Sequence, residues 1–379
     1  MKVCIVVVLA FTVALADLDN LFDHNKLEDW FKNNKIADFV NKLDNVTDET
    51  RKTLHLTPNL YKKVAGNDEE KKHFHDFFDF IAKHNKSYES ETDLSERFEK
   101  FKKSAERIAK HQKENPEAEF GHTQFSDLSP EEFIAKHTGL STKDLKKKPK
   151  NARSKRASIP SAWDWRSHNG VTAIRNQGQC GCCYAFAATS AIESQMKIQK
   201  NETYNLSQQQ AVSCTYNVAK YGDNNGCSGG QSSGVFQLAI DSGLGKQADF
   251  TYTSGSTLKV PACKSITTAV KVSSWEQLPS DDEETMAETV YNQGPIVIYI
   301  DADQMMNYKN GIMNPTAPSG GWSINHAVLL VGYGVQNSTS TPYWIIQNSW
   351  GTSWGLKGFV LVKRGVNSMD LAQYVYSVK

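Results

Sequence analysis

The sequence predicts an α+β protein in which a charged, helical N-terminal part is followed by a part with little charge. Of the 379 residues, positions 17–156 hold 28 Lys/Arg and 27 Asp/Glu, whereas positions 157–379 hold 14 and 15. In the second part, stretches typical of helices come first, and stretches rich in Val, Ile and aromatic residues follow. This order predicts two packed subdomains with a cleft between them.

The first 16 residues, MKVCIVVVLAFTVALA, combine a lysine, a short apolar stretch and an ending of small residues, which is typical of a secretory signal peptide. We expect cleavage after Ala16 and entry into the secretory pathway. No later stretch approaches the roughly 20 consecutive apolar residues that span a bilayer, so we expect no membrane span. Five N-x-S/T sequons agree with export and are candidate glycosylation sites: Asn45, Asn85, Asn201, Asn205 and Asn337.

Three N-terminal segments, 27–43, 73–86 and 93–112, repeat apolar residues at helical spacing and predict amphipathic helices. The run KDLKKKPKNARSKR, residues 143–156, is basic and contains a proline. We interpret it as an exposed, readily cleaved linker and as the main domain boundary. Binding of a polyanion to this run is the alternative interpretation. Because neither part has a one-signed excess of charge, we expect no nucleic-acid partner.

The second part begins with predicted helices and continues with predicted strands. Residues 183–199 predict a helix because alanine and other strong helix formers dominate them, and 207–213 and 234–241 predict shorter ones. Stretches of strand character then alternate with Gly, Asn and Ser. They are VKVSSW (270–275), PIVIYI (295–300), HAVLLVGYG (326–334), PYWIIQNSW (342–350) and GFVLVK (358–363).

The stretch QGQCGCCYAF, residues 177–186, places three cysteines next to the start of a predicted helix. A cysteine with a pKa of about 8.5 needs help to become a nucleophilic thiolate. The start of a helix favours an anion, and a neighbouring imidazolium favours it more strongly, so Cys183 is the candidate nucleophile. Only His168 and His326 lie in the second part. We predict His326, because a strand would hold its ring rigidly, whereas His168 lies in a turn-like sequence.

A catalytic imidazole needs a partner for its second nitrogen, and hydrolysis needs donors aimed at the developing oxyanion. Asn348 is the candidate partner, with Trp350 shielding that hydrogen bond from water. The side-chain amide of Gln177 and the backbone N–H of Cys183 could be the oxyanion donors. Each residue alone is more often structural, but together they predict a cysteine hydrolase site. No second Cys or His pair stands at zinc-ligand spacing, so we expect no metal and no cofactor.

Several motifs carry a resemblance to one family. QGQCGCCYAF resembles the active-site segment of papain-like cysteine peptidases, NHAVLLVGYG their histidine strand and YWIIQNSWGTSWG their asparagine segment. SIPSAWDWR resembles the mature start, and CSGG the cleft wall. GHTQFSD resembles a short motif of cathepsin L-type propeptides, and six residues follow the spacing of their interrupted helix signature: Asp93, Arg97, Phe101, Ser104, Ile108 and Gln112. The likeness covers about residues 72–379.

The resemblance implies a papain-like fold, with a helical half and an antiparallel, β-barrel-like half separated by a cleft, preceded by a mainly helical propeptide. The implied domains are a signal peptide (1–16), an N-terminal extension of the propeptide (17–71), a cathepsin L-type inhibitory propeptide (72–156) and the mature peptidase domain (157–379). A secreted protein of this family would contain two disulfides, Cys180–Cys227 and Cys214–Cys263.

The resemblance also implies the roles of individual residues. Cys183 corresponds to the nucleophile, His326 to the base, Asn348 to the orienting amide and Gln177 to the oxyanion donor. Gly229 and Gly230 correspond to the backbone that pairs with an extended substrate. The full set of expected substrate-binding residues is Gly229, Gly230, Tyr299, Ile324, Asn325 and Trp350.

Among the positions that depart from the family pattern, two bear on the active site. Cys182 stands where the family has Ser or Ala, and it is either a small buried residue or a redox brake that competes with Cys183. Tyr299 stands where a cathepsin L-like enzyme has a small residue at the S2 pocket, beside Ile324 and with Tyr374 at the base. We expect a short pocket that prefers modest apolar P2 side chains over large aromatic ones.

These observations predict a secreted or lysosomal cysteine endopeptidase made as a zymogen. We expect polypeptide substrates, the protein's own propeptide as an intramolecular inhibitor, inhibition by proteins of the cystatin type, and a monomer. The alternative is a catalytically silent binding or inhibitory protein with the same fold. Eight of the ten histidines lie in residues 17–156, so we expect acidification to loosen the propeptide.

Overall fold

The computed structural model describes residues 24–33, 35–149, 158–222 and 224–379. The expected signal peptide and residues 150–157 of the expected linker lie outside the described residues. Contacts divide the chain into two units. The first comprises the described residues up to Glu106 together with Ser126–Leu128, and the second comprises Arg107–Phe125 and Ser129–Lys379.

The secondary structure confirms the predicted α+β class. The helices are α1 (His24–Lys32), α2 (Ile36–Val40), α3 (Asp48–Val64), α4 (Asp68–Lys83), α5 (Glu91–Glu114), α6 (Pro130–His137), α7 (Cys183–Lys200), α8 (Gln208–Thr215), α9 (Ser232–Asp241), α10 (Ser254–Thr257) and α11 (Glu283–Gln293). The strands are β1 (Ala118–Phe120), β2 (Trp163–Asp164), β3 (Leu244–Gly245), β4 (Thr268–Val270), β5 (Trp275–Gln277), β6 (Ile296–Ile300), β7 (Tyr308–Met313), β8 (His326–Val335), β9 (Pro342–Gln347), β10 (Phe359–Lys363) and β11 (Val375–Val378). None of the described helices is long and apolar enough to cross a membrane.

An aromatic core holds the first unit together. The rings of Phe31 and Tyr61 stack with 4.5 Å between their centroids, and Phe31 meets Phe74 edge-on at 5.2 Å. Phe77 and Phe101, from α4 and α5, lie 5.2 Å apart in the same cluster. Aromatic pairs at these distances and tilts add to the free energy gained by burial. The charged residues therefore lie around a core made largely of rings.

The sequence pattern predicted α4 and α5 but not the helices before them. The single helix expected over 27–43 is wrong, because α1 ends at Lys32 and α2 begins at Ile36. α3 was missed altogether, since Pro58 lies inside it and normally breaks a helix. The carbonyl of Leu54, which the proline cannot bond, accepts a hydrogen bond from the Thr57 hydroxyl at 2.6 Å. This bond offsets part of the cost of the proline.

Within the described residues, nine strands of the second unit form one sheet, in the order β1-β7-β10-β9-β8-β6-β11-β5, with β2 pairing with β8. β8 pairs antiparallel with β6 and β9. Every residue of β8 except Val335 is buried, which explains its nearly continuous apolar sequence. α7 packs against β8, and every residue from Cys183 to Met196 is buried. A buried helix thus begins beside the first residues of a buried strand.

Four of the five predicted strands are present, and one is wrong. β6, β8 and β10 match their predictions closely, and β9 ends at Gln347, three residues early. The continuous strand expected over 270–275 is wrong, because β4 ends at Val270 and β5 begins only at Trp275. Ser274 and Lys379 exchange backbone hydrogen bonds at the end of the β5–β11 pairing, and Ser273 also donates its N–H to the carbonyl of Lys379. The sequence pattern also missed α11 and β7, which lie among the predicted strands, and β11, which follows them.

The predicted linker is also corrected where the structure describes it. Residues 143–149 are not a freely exposed tether, since Ser280 donates its backbone N–H to the carbonyl of Lys148 at 2.8 Å. The side-chain amide of Gln277 donates to the carbonyl of Lys146 at 2.9 Å. A basic composition indicated solvent exposure, and these side chains are indeed largely exposed, but the backbone is bound.

Candidate active site

The thiol of Cys183 lies between the start of α7 and the start of β8. The backbone N–H of Ala327 is directed at the sulfur, with 3.3 Å between the nitrogen and Sγ. Because Ala327 follows His326 along β8, the packing of helix on strand brings the two predicted catalytic residues to the same place. Both side chains are fully buried.

The imidazole of His326 is held on two sides. Its Nε2 lies 2.8 Å from Oδ1 of Asn348, which also accepts the backbone N–H of Ser349 at 2.7 Å and is therefore the acceptor. The ring of Trp350 stacks on the imidazole with 4.8 Å between centroids. Nδ1 of His326 has no hydrogen-bond partner among the described residues. Nε2 is therefore held by Asn348, and Nδ1 can accept a proton.

The side-chain amide of Gln177 is oriented from both ends. Its Oε1 accepts the hydroxyl of Ser349 at 2.7 Å, and its Nε2 donates to the carbonyls of Cys180 at 3.0 Å and Thr138 at 3.3 Å. The backbone N–H of Gln177 donates to the carbonyl of Ser349 at 2.9 Å. Sequence reasoning missed Ser349, for which the only signal was its place between Asn348 and Trp350.

Burial shifts the pKa values of the thiol and the imidazole in the direction that favours the neutral form of each group. It raises the pKa of Cys183 to about 12, although backbone N–H groups of Ala327 and Tyr184 act in the opposite direction. Burial lowers the pKa of His326 to about 4, against the effect of the hydrogen bond to Asn348. The sequence predicted a thiolate stabilised by an imidazolium. Desolvation of the covered site outweighs the start of the helix and favours the neutral pair.

The segment after α6 covers the site. Gly139 and Leu140 donate their backbone N–H groups to the carbonyl of Asn325 at 3.1 and 3.0 Å. Gly230 donates its backbone N–H to the carbonyl of Gly139 at 3.1 Å, and the carbonyl of Gly230 accepts the N–H of Ser141 at 3.0 Å. The two segments therefore form a parallel β-bridge between Leu140 and Gly230. Backbone groups predicted to bind substrate are therefore occupied by this segment.

Only glycine fits at position 139. Its φ is +124°, and a Cβ there would lie 2.1 Å from the carbonyl oxygen of Gly181. Gly181 stands two residues before Cys183 in the sequence. The backbone of this segment therefore approaches the backbone beside the thiol more closely than any side chain would permit. Gly229, also with a positive φ, lies next to this contact.

Trp350 links the imidazole to the covering segment. Its Nε1 donates to the carbonyl of His137 at 2.8 Å, and its ring meets Phe125 and Phe133 edge-on at 5.5 and 5.1 Å. Gln124 donates its side-chain amide to the carbonyl of Trp350 at 2.7 Å. Trp350 was predicted to shield the His326–Asn348 bond and to bind substrate, and here it also contacts residues of the predicted propeptide.

Tyr299 is fully buried rather than lining an open pocket. Its hydroxyl accepts the backbone N–H of Ser232, at the start of α9, at 2.8 Å. Its ring lies 5.2 Å from that of Tyr376 and 6.4 Å from that of Tyr374. Ile324 is partly buried against the same core. The tyrosine thus packs between β6 and the start of α9.

Cys182 faces away from the imidazole. Its Sγ lies 3.1 Å from the hydroxyl of Tyr252, which donates to the backbone carbonyl of Gln177 at 2.7 Å. Burial raises the pKa of the Cys182 thiol. Disulfide exchange needs a thiolate, so this environment favours a packing role over a redox role. His168, the rejected alternative base, stacks on Trp163 with 3.8 Å between centroids.

Both expected disulfides are present. Cys180 is bonded to Cys227, with 4.5 Å between their Cα atoms, and Cys214 is bonded to Cys263, with 4.7 Å. The first ties the segment that carries Gln177 to the segment that carries Gly229. Of the cysteines in the described ranges, Cys182 and Cys183 are free.

Comparison with known proteins identifies the family. Residues 159–379 match the model of the papain family cysteine protease. The chain belongs to the papain family of cysteine proteases. Residues 77–133 match the cathepsin propeptide inhibitor domain, so the protease is made as a zymogen with its own inhibitor.

Named relatives are proteases of the same type. A viral cathepsin of Choristoneura fumiferana nuclear polyhedrosis virus is 36% identical over 307 residues, covering 78% of this chain and 88% of the relative. Cysteine proteinase B of Leishmania mexicana is 34% identical over 312 residues, covering 79% of this chain and 68% of the relative. These relatives give no support to the catalytically silent alternative.

Solved structures confirm the predicted papain-like fold. The digestive procathepsin L 3 of Tenebrio molitor larval midgut is 30% identical, with a TM-score of 0.70, and the match covers 81% of this chain and 98% of that one. The procathepsin L2 proteinase from the same tissue is 29% identical, with a TM-score of 0.71, covering 80% and 98%. The cathepsin-type zymogen architecture is thus confirmed.

Proposed function

We propose that the processed enzyme is an endopeptidase in which Cys183 is the nucleophile and His326 the general base and acid. Asn348 orients the imidazole, and Gln177 with the backbone N–H of Cys183 stabilises the oxyanion. The observation that carries the proposal is the 3.3 Å contact from the Ala327 N–H to the Cys183 sulfur, because it holds the thiol beside the residue that follows His326.

The proposed reaction has two steps that share one imidazole. Nδ1 of His326 takes the thiol proton, and the sulfur of Cys183 attacks the peptide carbonyl to form a tetrahedral oxyanion. The amide of Gln177 and the N–H of Cys183 donate to this oxygen. The imidazolium then gives its proton to the departing amine, and an acyl-enzyme thioester remains. Water, deprotonated by His326, attacks the thioester, and the acid and the thiol are released.

The covering segment explains how the zymogen is kept inactive. Nε2 of Gln177 is engaged by the carbonyl of Thr138, and the backbone of Gly139 occupies the space beside Gly181. Burial also removes the charge from both Cys183 and His326. Removal of the segment would return water to the site, lower the thiol pKa and raise the imidazole pKa, which favours the reactive ion pair.

We propose that the enzyme prefers P2 side chains of the size of leucine or valine. Leu140 of the propeptide pairs with Gly230 and packs, partly buried, against the same hydrophobic core as Ile324 and Tyr374. The buried ring of Tyr299 limits the depth available. A peptide library should therefore show little cleavage of peptides with Phe at P2, and Tyr299→Ala should increase their cleavage. A wild-type profile dominated by P2 Phe would refute this specificity.

We propose that the protease passes through the secretory pathway and acts in lysosomes or outside cells, as a monomer sensitive to cystatin-type inhibitors. Two disulfides support an oxidising route. The sequon asparagines are exposed in the structure, which supports glycosylation: Asn45, Asn85, Asn201, Asn205 and Asn337. The proposed boundaries remain 1–16 for the signal peptide, 17–71 for the extension, 72–156 for the propeptide and 157–379 for the mature enzyme.

A thiol-directed epoxide tests the proposed nucleophile. The zymogen is processed at acid pH, treated with the epoxide and digested, and the labelled cysteine is located by mass spectrometry. We expect one adduct, at Cys183, and loss of hydrolysis of a fluorogenic dipeptide. Cys182→Ser is the matched control and should keep both the adduct and the activity. A processed protein that cleaves peptides without an adduct at Cys183 would overturn the assignment.

A further inference from the structure

Residues 143–149, here called the lysine strap, are bound to the surface of the mature domain. Around Lys148 the contacts are reciprocal, since Ser280 donates its N–H to the carbonyl of Lys148 at 2.8 Å and its Oγ accepts the N–H of Lys148 at 3.0 Å. The ammonium of Lys148 donates to the backbone carbonyl of Gln277 at 2.5 Å. Three polar groups of one strap residue are therefore satisfied by two residues of the mature enzyme.

Further contacts extend along the strap. The side chains of Gln277 and Gln231 donate to the carbonyls of Lys146 and Lys143 at 2.9 and 2.7 Å. Leu145 packs, half-buried, against the hydrophobic core of the mature domain. These contacts use backbone carbonyls and one apolar side chain, so they recognise an extended chain more than a particular sequence.

The charge on the receiving surface matches that of the strap. The ammonium of Lys147 lies 3.8 Å from Oδ2 of Asp281, and both side chains are about half exposed. Oδ1 of Asp281 accepts the side-chain amide of Asn367 at 3.0 Å, which holds the carboxylate in place. An exposed ion pair of this kind contributes little, so the hydrogen bonds to the backbone carry most of the binding.

The receiving surface, here called the strap site, consists of Gln231, Gln277, Ser280 and Asp281. It continues the cleft, because Gln231 directly follows Gly230, which pairs with Leu140 at the covered active site. All four residues lie in the expected mature domain, so the site remains when the propeptide leaves. Its donors and its carboxylate are then left without the strap.

We propose that the strap site of the processed enzyme is an exosite that binds extended, lysine-bearing segments of polypeptide substrates outside the cleft. The inference rests on the proposed function, in which the propeptide leaves and the enzyme cleaves peptides. Binding remote from the reacting bond that is equal in the ground state and the transition state lowers KM and leaves kcat unchanged. The exosite therefore selects among long substrates without altering the chemistry.

The test uses the processed enzyme and three fluorogenic substrates with the same scissile core. One is the short core, one carries a flexible spacer and a lysine-rich segment, and one carries the same segment with every lysine Nζ-acetylated. Versions extended at the amino and at the carboxyl end are both measured. With one of these two geometries, we expect the lysine substrate to show a KM about twofold to fivefold lower than the acetylated one, with equal kcat.

Two variants and one control connect the effect to the strap site. Gln277→Ala removes the donor to Lys146, and Asp281→Asn removes the charge while keeping an acceptor for Asn367. Asp281→Asn should remove most of the KM difference, and Gln277→Ala should raise the KM of both extended substrates. Each variant should leave cleavage of the short core unchanged. Asp249→Asn, at another exposed carboxylate, should retain the difference.

Equal KM values for the lysine and acetylated substrates at both ends would overturn the exosite, as would a difference that survives Asp281→Asn in full. Failure of the wild-type enzyme to cleave the short core would instead count against the proposed function. The two failures are therefore distinguishable in one set of assays.

Discussion

The neighbouring thiols of Cys182 and Cys183 face two different regions of the molecule. Both are fully buried, and burial raises the pKa of each. Cys183 meets the Ala327 N–H beside His326, whereas Cys182 meets the hydroxyl of Tyr252. Solvent exclusion is therefore common to both thiols, and the thiol that we propose as the nucleophile is the one near an imidazole whose Nδ1 has no hydrogen-bond partner among the described residues. Burial alone does not identify a nucleophile.

The largest expected effect separates the two thiols directly. Cys183→Ala should lower kcat/KM for a fluorogenic dipeptide by at least about 10³-fold, because no other group can form the acyl-enzyme. Cys182→Ala should lower it by less than about tenfold. Both zymogens are processed by an added protease that is then removed, so that self-cleavage is not required. Comparable activity of the two variants would contradict the distinction.

The second effect tests the partner of the imidazole. Asn348→Ala removes the acceptor 2.8 Å from Nε2 of His326, and kcat should fall about 10²-fold while KM changes little. Because the ring orientation is lost, the pH profile of kcat should also shift. Tyr252→Phe is the matched change on the Cys182 side and should leave that profile in place. An unaltered profile in Asn348→Ala would assign the asparagine a purely structural role.

The third effect is the pH dependence of the closed zymogen. Burial lowers the pKa of His326 from 6.5 to about 4, so the closed form holds this group neutral. The free energy of unfolding therefore does not depend on His326 above pH 6.5 and falls as the pH is lowered towards 4, by at most about 3 kcal/mol. Asp303 has the opposite effect on stability, because burial raises its pKa from 3.8 to about 6. As the pH falls, the folded protein therefore binds a proton at Asp303 before the unfolded chain does, which stabilises the fold.

Denaturant unfolding of the Cys183→Ser zymogen between pH 7 and pH 4 measures this balance. Adding His326→Gln should make the loss of stability on acidification smaller, and adding Asp303→Asn should make it larger. The second substitution keeps a partner for Asn325, whose side-chain amide lies 2.6 Å from the Asp303 carboxylate. The same acid dependence in all three proteins would show that other groups, such as propeptide histidines, govern the response.

The smallest effect concerns the redox alternative. Cys182→Ser keeps a small side chain that can bond to Tyr252, so kcat/KM should change by less than about threefold. Inactivation by hydrogen peroxide should proceed at the wild-type rate, because the buried Cys182 thiol is disfavoured as a thiolate. Clear protection of the serine variant would revive the redox brake.

Much of the fold and the site could be read from local sequence, because short-range physics dominates there. Alanine-rich residues 183–199 and the β-branched run of β8 have strong intrinsic preferences, and the structure agrees with both. The motifs around Cys183, His326 and Asn348 indicated a cysteine peptidase because chemistry limits which residue types can act together. Family and zymogen organisation followed from these segments.

Long-range packing settled the remainder, since no local pattern encodes it. α3 forms around Pro58 because its apolar face is buried. The single strand expected over 270–275 is divided between β4 and β5, which pair with different partners, β3 and β11. The pKa shifts of Cys183 and His326 follow from burial between elements that are far apart in sequence. The basic composition of the strap likewise predicted solvent exposure, yet its backbone is hydrogen-bonded to the mature domain. The partners of a backbone group are set by the groups that folding brings near it, and these can be distant in sequence.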